Sequence, residues 1–260
     1  MPRVITNGRH IGYTQAGGGG ATPIVFLHGV GSDKSVWHPQ LAHFGRTRRA
    51  IAFDYPGYGD SDPAPEGTTR DDYAAAILSA MHELGVDRAH VCGLSLGGVI
   101  AIAMHHAAPE RCASLVLADT FAVHPEGQLF VERSMAALEA GTLRQLAEGR
   151  VDALLAQPAD QAVRGEVVET MSRIDRKAYR IGSAAVWLAD QRDRAAEVRV
   201  PTLVLCGSED KFTPPALSRE LTNLIAGAHY EQIEGAGHMT NLEKPDEFNA
   251  MLDQFIEPLS

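Results

Sequence analysis

A chain of 260 residues, 45% hydrophobic and 22% charged, is long enough for one substantial core and has the composition of a folded globular domain, which excludes a disordered or fibrous chain. Its net charge of -10 opposes a phosphate backbone, and no stretch clusters Lys and Arg with aromatics, so nucleic acid is excluded as a partner. The opening MPRVITNGRHIGYTQ holds no apolar leader core of about 7 to 15 residues, and no apolar run reaches the roughly 18 residues of a bilayer span, so a cytoplasmic protein with no membrane partner is expected.

In chain order, residues 4–6 and 11–14 flank Asn7-Gly8, a pair that tolerates the positive φ of a tight turn, and predict an opening antiparallel hairpin. The tetraglycine at 17–20 lacks the Gly-Lys-Ser/Thr continuation of a phosphate loop and reads as a surface turn. Apolar runs rich in Val, Ile and Leu follow at 23–27, 50–53, 89–92 and 114–118, too short for helices and suited to buried strands. Between them, 69–84 and 95–108 carry helical spacing, the second stopped by Pro109. Such alternation predicts an α/β fold, a mostly parallel central sheet flanked by helices. From Phe121 to Glu197 the strand signal stops while helical spacing continues through 129–138, 143–155 and 179–188. Strands return at 201–206 and 229–233, each followed by a helical pattern, at 215–225 and 241–255. The predicted organisation is a core domain of residues 1–120 and 198–260 interrupted by a helical insertion at 121–197. Cys92, Cys112 and Cys206 are odd in number, and two of them end apolar strand runs as packed thiols do, so neither a disulfide nor a cysteine-based metal site is expected.

Gly93-Leu94-Ser95-Leu96-Gly97 lies between the strand at 89–92 and the helical run after it, the setting that gives a G-x-S-x-G pattern meaning. Gly93 and Gly97 clear space for a sharp strand-to-helix turn that exposes a serine hydroxyl above the sheet, and Gly98 adds clearance. A serine hydroxyl is a poor nucleophile near neutral pH without a base, so a downstream histidine is required. Of eleven histidines, His238 alone follows a strand within a glycine loop, Gly235-Ala236-Gly237-His238. His105 and His106 lie inside a helical run, and His28 belongs to a different loop. The imidazole in turn needs a carboxylate on its other nitrogen. Asp210, in Gly207-Ser208-Glu209-Asp210 after the strand at 201–206, gives the chain order Ser, Asp, His. Glu209 and Asp119, the latter ending the strand at 114–118, are the alternatives. An oxyanion formed at the serine needs preorganised amides. Leu96 supplies one by position, and Val30, in His28-Gly29-Val30-Gly31, is the choice for the second; the plainer reading of His28-Gly29 is a turn that ends the strand. All five residues lie outside 121–197, so the insertion is expected to set substrate choice and contribute little to bond breaking.

Leu27-His28-Gly29, the run Asp54-Tyr55-Pro56-Gly57-Tyr58-Gly59-Asp60-Ser61, the turn at 93–98, Gly207-Ser208-Glu209-Asp210 and Gly237-His238 resemble the α/β-hydrolase fold family over nearly the whole chain. Cys92-Gly93-Leu94-Ser95-Leu96-Gly97-Gly98, Pro201-Thr202-Leu203-Val204-Leu205 and Asn241-Leu242-Glu243-Lys244-Pro245 are similar to the 3-oxoadipate enol-lactonase-like serine esterases. The resemblance implies a helical cap over Ser95 and a hydrolase of small-molecule esters or lactones that uses no cofactor and no metal. It also implies a cap arginine for a substrate carboxylate, with Arg133 as the candidate. The cap offers Phe121, Phe130, Tyr179 and Trp187 for the pocket wall, and 173–180 reads as a charged helix face. On this reading Ser95 attacks the carbonyl, His238 moves the proton and water releases the acid. Hydrolysis of a carbon-carbon bond in a β-diketone or vinylogous substrate uses the same residues and is the alternative. A ligand receptor without turnover is the remaining one.

Overall fold

The apolar runs assemble edge to edge. In the computed structural model, which describes residues 2–259, the strands are β1 (Arg3–Thr6), β2 (Arg9–Ala16), β3 (Ile24–Leu27), β4 (Ala50–Phe53), β5 (Ala89–Leu94), β6 (Cys112–Ala118), β7 (Thr202–Gly207) and β8 (His229–Ile233). They form one sheet in the order β1-β2-β4-β3-β5-β6-β7-β8. Asn7 (φ 52) and Gly8 (φ 73) turn β1 into β2, which pairs antiparallel with β1 and β4, and every other pairing is parallel. β3 to β7 are buried along their full length, as a parallel sheet covered on both faces requires. β8, at the edge, buries only Ile233 fully.

Before β6 come α1 (His38–Phe44), α2 (Arg70–Glu83) and α3 (Leu96–Ala107). Residues 96–105 of α3 are all buried, so the helix is apolar all round and runs through the centre, against β3, β5, β6 and α2. Between β6 and β7 lie α4 (Gly127–Ala140), α5 (Leu143–Leu154), α6 (Gln161–Ser172), α7 (Arg176–Trp187) and the short α8 (Arg192–Ala196). Three of these start on side-chain caps, Thr142 for α5, Asp160 for α6 and Asp175 for α7, each accepting from the orphan amides of the first turn. α9 (Pro215–Leu224), α10 (Thr240–Glu243) and α11 (Pro245–Ile256) complete the chain. Among the described residues no helix is long and apolar enough to cross a membrane.

Two expectations change. The single helix at 241–255 is two, α10 and α11, because Pro245 has no amide hydrogen to continue a helix and restrains the residue before it. α1, α6 and the short α8 are additional; in α6 the buried stripe, Val167, Val168, Thr170 and Met171, is rich in β-branched residues, and Gly165 interrupts its first half, which weakens a helical signal.

Candidate active site

β5 ends at Leu94 and α3 begins at Leu96, leaving Ser95 at φ 55 and ψ -115, a backbone conformation that residues with a Cβ seldom adopt. Its surroundings hold it there. The Ser95 amide donates to Ala118 O (2.9 Å), and its carbonyl accepts from the amides of Gly98 (3.0 Å) and Val99 (3.3 Å) and from Thr120 Oγ1 (2.9 Å). The flanking glycines are needed for approach: a Cβ on Gly93 would stand 2.2 Å from Gly97 O, and one on Gly97 would stand 2.1 Å from Leu27 O.

The loop after β8 brings His238 to Asp210, with Nδ1 2.8 Å from Oδ2. Asp210 Oδ1 accepts the amides of Phe212 (2.8 Å) and Thr213 (2.9 Å), and Oδ2 accepts the Thr213 hydroxyl (2.5 Å). Burial pushes the Asp210 carboxyl up, but the charge on His238 and these hydrogen bonds outweigh it and hold the group below its ordinary value. For His238, burial works downward, and Asp210 together with Asp119 and Glu243 lifts the pKa above 6.5. A neutral imidazole that donates from Nδ1 to Asp210 keeps a lone pair on Nε2.

The alternative acids lie elsewhere. Asp119, fully buried at φ 47, accepts from Gly207 N (2.9 Å) and Thr240 Oγ1 (2.5 Å). Burial and the neighbouring charge on Asp210 hold its carboxyl well above the usual range. Glu209 is exposed. Asp119, Cys206 and Asp210 also form a group of ligand-type side chains with donor atoms within 4.8 Å of one another. Both carboxyls are already engaged by hydrogen bonds, and burial raises the Cys206 thiol far from the thiolate that binds metals.

Leu96 is the first residue of α3, so its amide has no acceptor within the helix. Val30 lies in the loop after β3, which passes the serine so closely that a Cβ on Gly29 would be 3.4 Å from Ser95 Cβ. Side chains missed by the sequence reading hold this loop. Lys34 Nζ is buried 2.6 Å from Asp54 Oδ2 and 2.5 Å from Asp60 Oδ2, and Tyr55 OH donates to His28 O (2.9 Å). The run 54–61 is thus the anchor of the β3 loop.

Ser95, His238 and Val30 line one cavity, closed from the other side by α5, α6 and α7. Trp187 and Tyr179 stand on its wall, whereas Phe121 does not: it is buried behind Trp187, rings stacked at 5.7 Å, and Phe130 stacks on Trp187 at 4.5 Å. Trp187 Nε1–H has no acceptor among the described residues. Arg133 is also corrected, since it is exposed on α4 and does not reach the cavity. The next residue, Ser134, is the one turned inward, because each helical step rotates the side chain by about 100°. The arginine on the cavity is Arg150 of α5, which donates to Tyr179 OH (2.5 Å) and Ser134 Oγ (3.0 Å) and has no carboxylate within ion-pair distance among the described residues. Phe212, on the same wall, and Thr213 stand two and three residues after Asp210; no periodicity marks them, and nearness in the chain to Asp210 is the only signal they give.

A strand, a strained serine and a buried helix in this sheet order define an architecture that comparison with known proteins identifies. Residues 24–251 match the model of the alpha/beta hydrolase family, and the chain belongs to it. The solved enol-lactonase from Burkholderia xenovorans LB400 superposes with a TM-score of 0.91 at 30% identity, over 98% of this chain and 100% of its own. The curated 3-oxoadipate enol-lactonase 1 of Acinetobacter baylyi is 26% identical over 242 residues, 92% of this chain and 90% of its own. The 2-hydroxy-6-oxononadienedioate/2-hydroxy-6-oxononatrienedioate hydrolase of Cupriavidus pinatubonensis is 26% identical over 258 residues, 92% of this chain and 88% of its own.

Proposed function

We propose that this α/β hydrolase cleaves a carboxylic ester or lactone of a small molecule through an acyl-enzyme intermediate. The observation that carries the reading is the strained Ser95 on the same cavity as His238, whose Nδ1 is held by Asp210. Ser95 Oγ attacks the carbonyl carbon as His238 Nε2 takes its proton, and the amides of Val30 and Leu96 receive the oxyanion. The protonated His238 then gives that proton to the leaving alkoxide. In the second half, water attacks the acyl carbon with His238 again as base, and Ser95 departs with its proton restored. The reaction so written needs no cofactor. Residues 121–197 act as a cap, and likeness to enol-lactonases supports an ester or lactone bond. Arg150, a cation on the cavity without an acidic partner among the described residues, favours a substrate with a carboxylate on its cap side.

A second reading, hydrolysis of a carbon-carbon bond on the same residues, is supported by the relative named for a 2-hydroxy-6-oxo dienedioate. A fluorophosphonate should add covalently to Ser95, located by peptide mass mapping, and Ser95→Ala should abolish both labelling and turnover. Labelling elsewhere, or none in folded protein, removes the nucleophile assignment. A panel of esters, lactones and vinylogous diketones then separates the two readings by which bond is cleaved.

A further inference from the structure

The backbone that carries His238 is tied down from a direction the sheet does not supply. The amides on either side of the histidine, Gly237 N–H and Met239 N–H, both donate to Glu243 Oε1, at 2.9 and 3.2 Å. The other carboxylate oxygen, Oε2, accepts from Ala156 N–H at 2.7 Å, in the turn that follows α5. The His238 amide donates to the carbonyl of Leu154, the last residue of α5, at 2.7 Å. The two backbones lie so close that a Cβ on Gly237 would stand 2.6 Å from Leu154 O and 2.7 Å from Ala156 N. A carboxylate suits this place because both its oxygens accept; a glutamine would turn an NH2 donor toward one of the three amides.

We propose that Glu243 is a positioning residue for His238, fixing the backbone on both sides of the imidazole and joining it to the end of α5, so that alignment of the base depends on the inserted helices as well as on the sheet. This rests on the role given to His238 above. It also revises the expectation that the insertion contributes little to bond breaking. Placement of a general base within a fraction of an ångström governs its efficiency, and a displacement of about 1 Å costs up to roughly 100-fold.

The test uses Glu243→Gln and Glu243→Asp in the full chain, with p-nitrophenyl acetate as the probe ester and fluorophosphonate labelling alongside. Glu243→Gln should lower kcat by roughly 10- to 100-fold with KM within about twofold, and slow Ser95 labelling in step. The titratable groups that act electrostatically on His238 are Asp210 after β7, Asp119 after β6 and Glu243 on α10, with Arg150 of α5 on the same cavity. Glu243 is among those that raise the histidine, so removing its charge should move the acid limb of kcat/KM to lower pH. Glu243→Asp keeps the charge but not the reach, and should lower kcat while leaving the acid limb in place. A folded Glu243→Gln protein with unchanged kcat, labelling rate and acid limb overturns the proposal, as does a loss of thermal stability without these changes. If the glutamine variant does not fold, an unchanged kcat in Glu243→Asp overturns it equally. A wild-type chain that neither turns over the ester nor labels at Ser95 instead refutes the proposed function.

Discussion

Asp119 stands close enough to Asp210 to feel its charge, yet only Asp210 meets the imidazole. On the proposed mechanism, Asp210→Asn should leave a folded protein with kcat lowered by about three to four orders of magnitude, because an amide favours the wrong imidazole tautomer. Asp119→Asn should do far less, since its amide oxygen can still accept from Gly207 N while its NH2 donates to the Thr240 hydroxyl oxygen. Steady-state kinetics on both variants check this, and the reverse order would move the acid to the end of β6. A second expectation concerns pH. His238 must be neutral to accept the serine proton, and its pKa is raised above 6.5, so kcat/KM should fall as pH drops through a midpoint above 6.5. An acid limb centred below 6.5 would contradict the pairing. The sequence led to these residues through their setting: strands that end in glycine turns leave few places for a serine, an acid and a histidine to meet. The resemblance, and no pattern in the residues, pointed to Arg133, whose exposure on α4 follows from how that helix packs against α7, which spacing alone does not report.

At the scale of elements, the passage from β5 into α3 is legible because it is dictated by local sterics. Gly97→Ala places a methyl 2.1 Å from the Leu27 carbonyl, backbone against backbone, and neither side can move without shifting β3 or α3. The expected cost is about 1–3 kcal/mol, read as a lower Tm and a smaller denaturant midpoint. An unchanged Tm would mean that the two elements are further apart than described. The loop after β3 is different in kind. Its position depends on a buried Lys34 bridging Asp54 and Asp60, residues 20 and 26 positions away, and that pairing has no periodic signature. The break between α10 and α11 was written in the chain as Pro245, but helical spacing on both sides of it hid the interruption.

Taken whole, the molecule sets a mostly parallel sheet beneath helices that meet the ends of β3, β5, β7 and β8, and the cavity lies between the two parts, where α/β sheets bind ligands. Trp187, backed by Phe121 and Phe130, presents the large apolar wall from the inserted side. Trp187→Ala should therefore change the ratio of kcat/KM between long and short acyl esters by about tenfold or more, while fluorophosphonate still labels Ser95. An unchanged ranking in a folded variant would remove Trp187 from the specificity pocket. By itself the sequence determined the alternation of strands and helices, the turn at Ser95 and the glycine-framed places of Asp210 and His238, because hydrophobic period and backbone sterics act over a few residues. Only the tertiary structure decided that Arg150 faces the cavity, that Phe121 stands behind Trp187, that Asp119 is taken up by Gly207 and Thr240, and that Glu243 reaches Ala156, 87 residues away. Those contacts arise from the rotation and docking of elements remote in the chain, which no local pattern encodes.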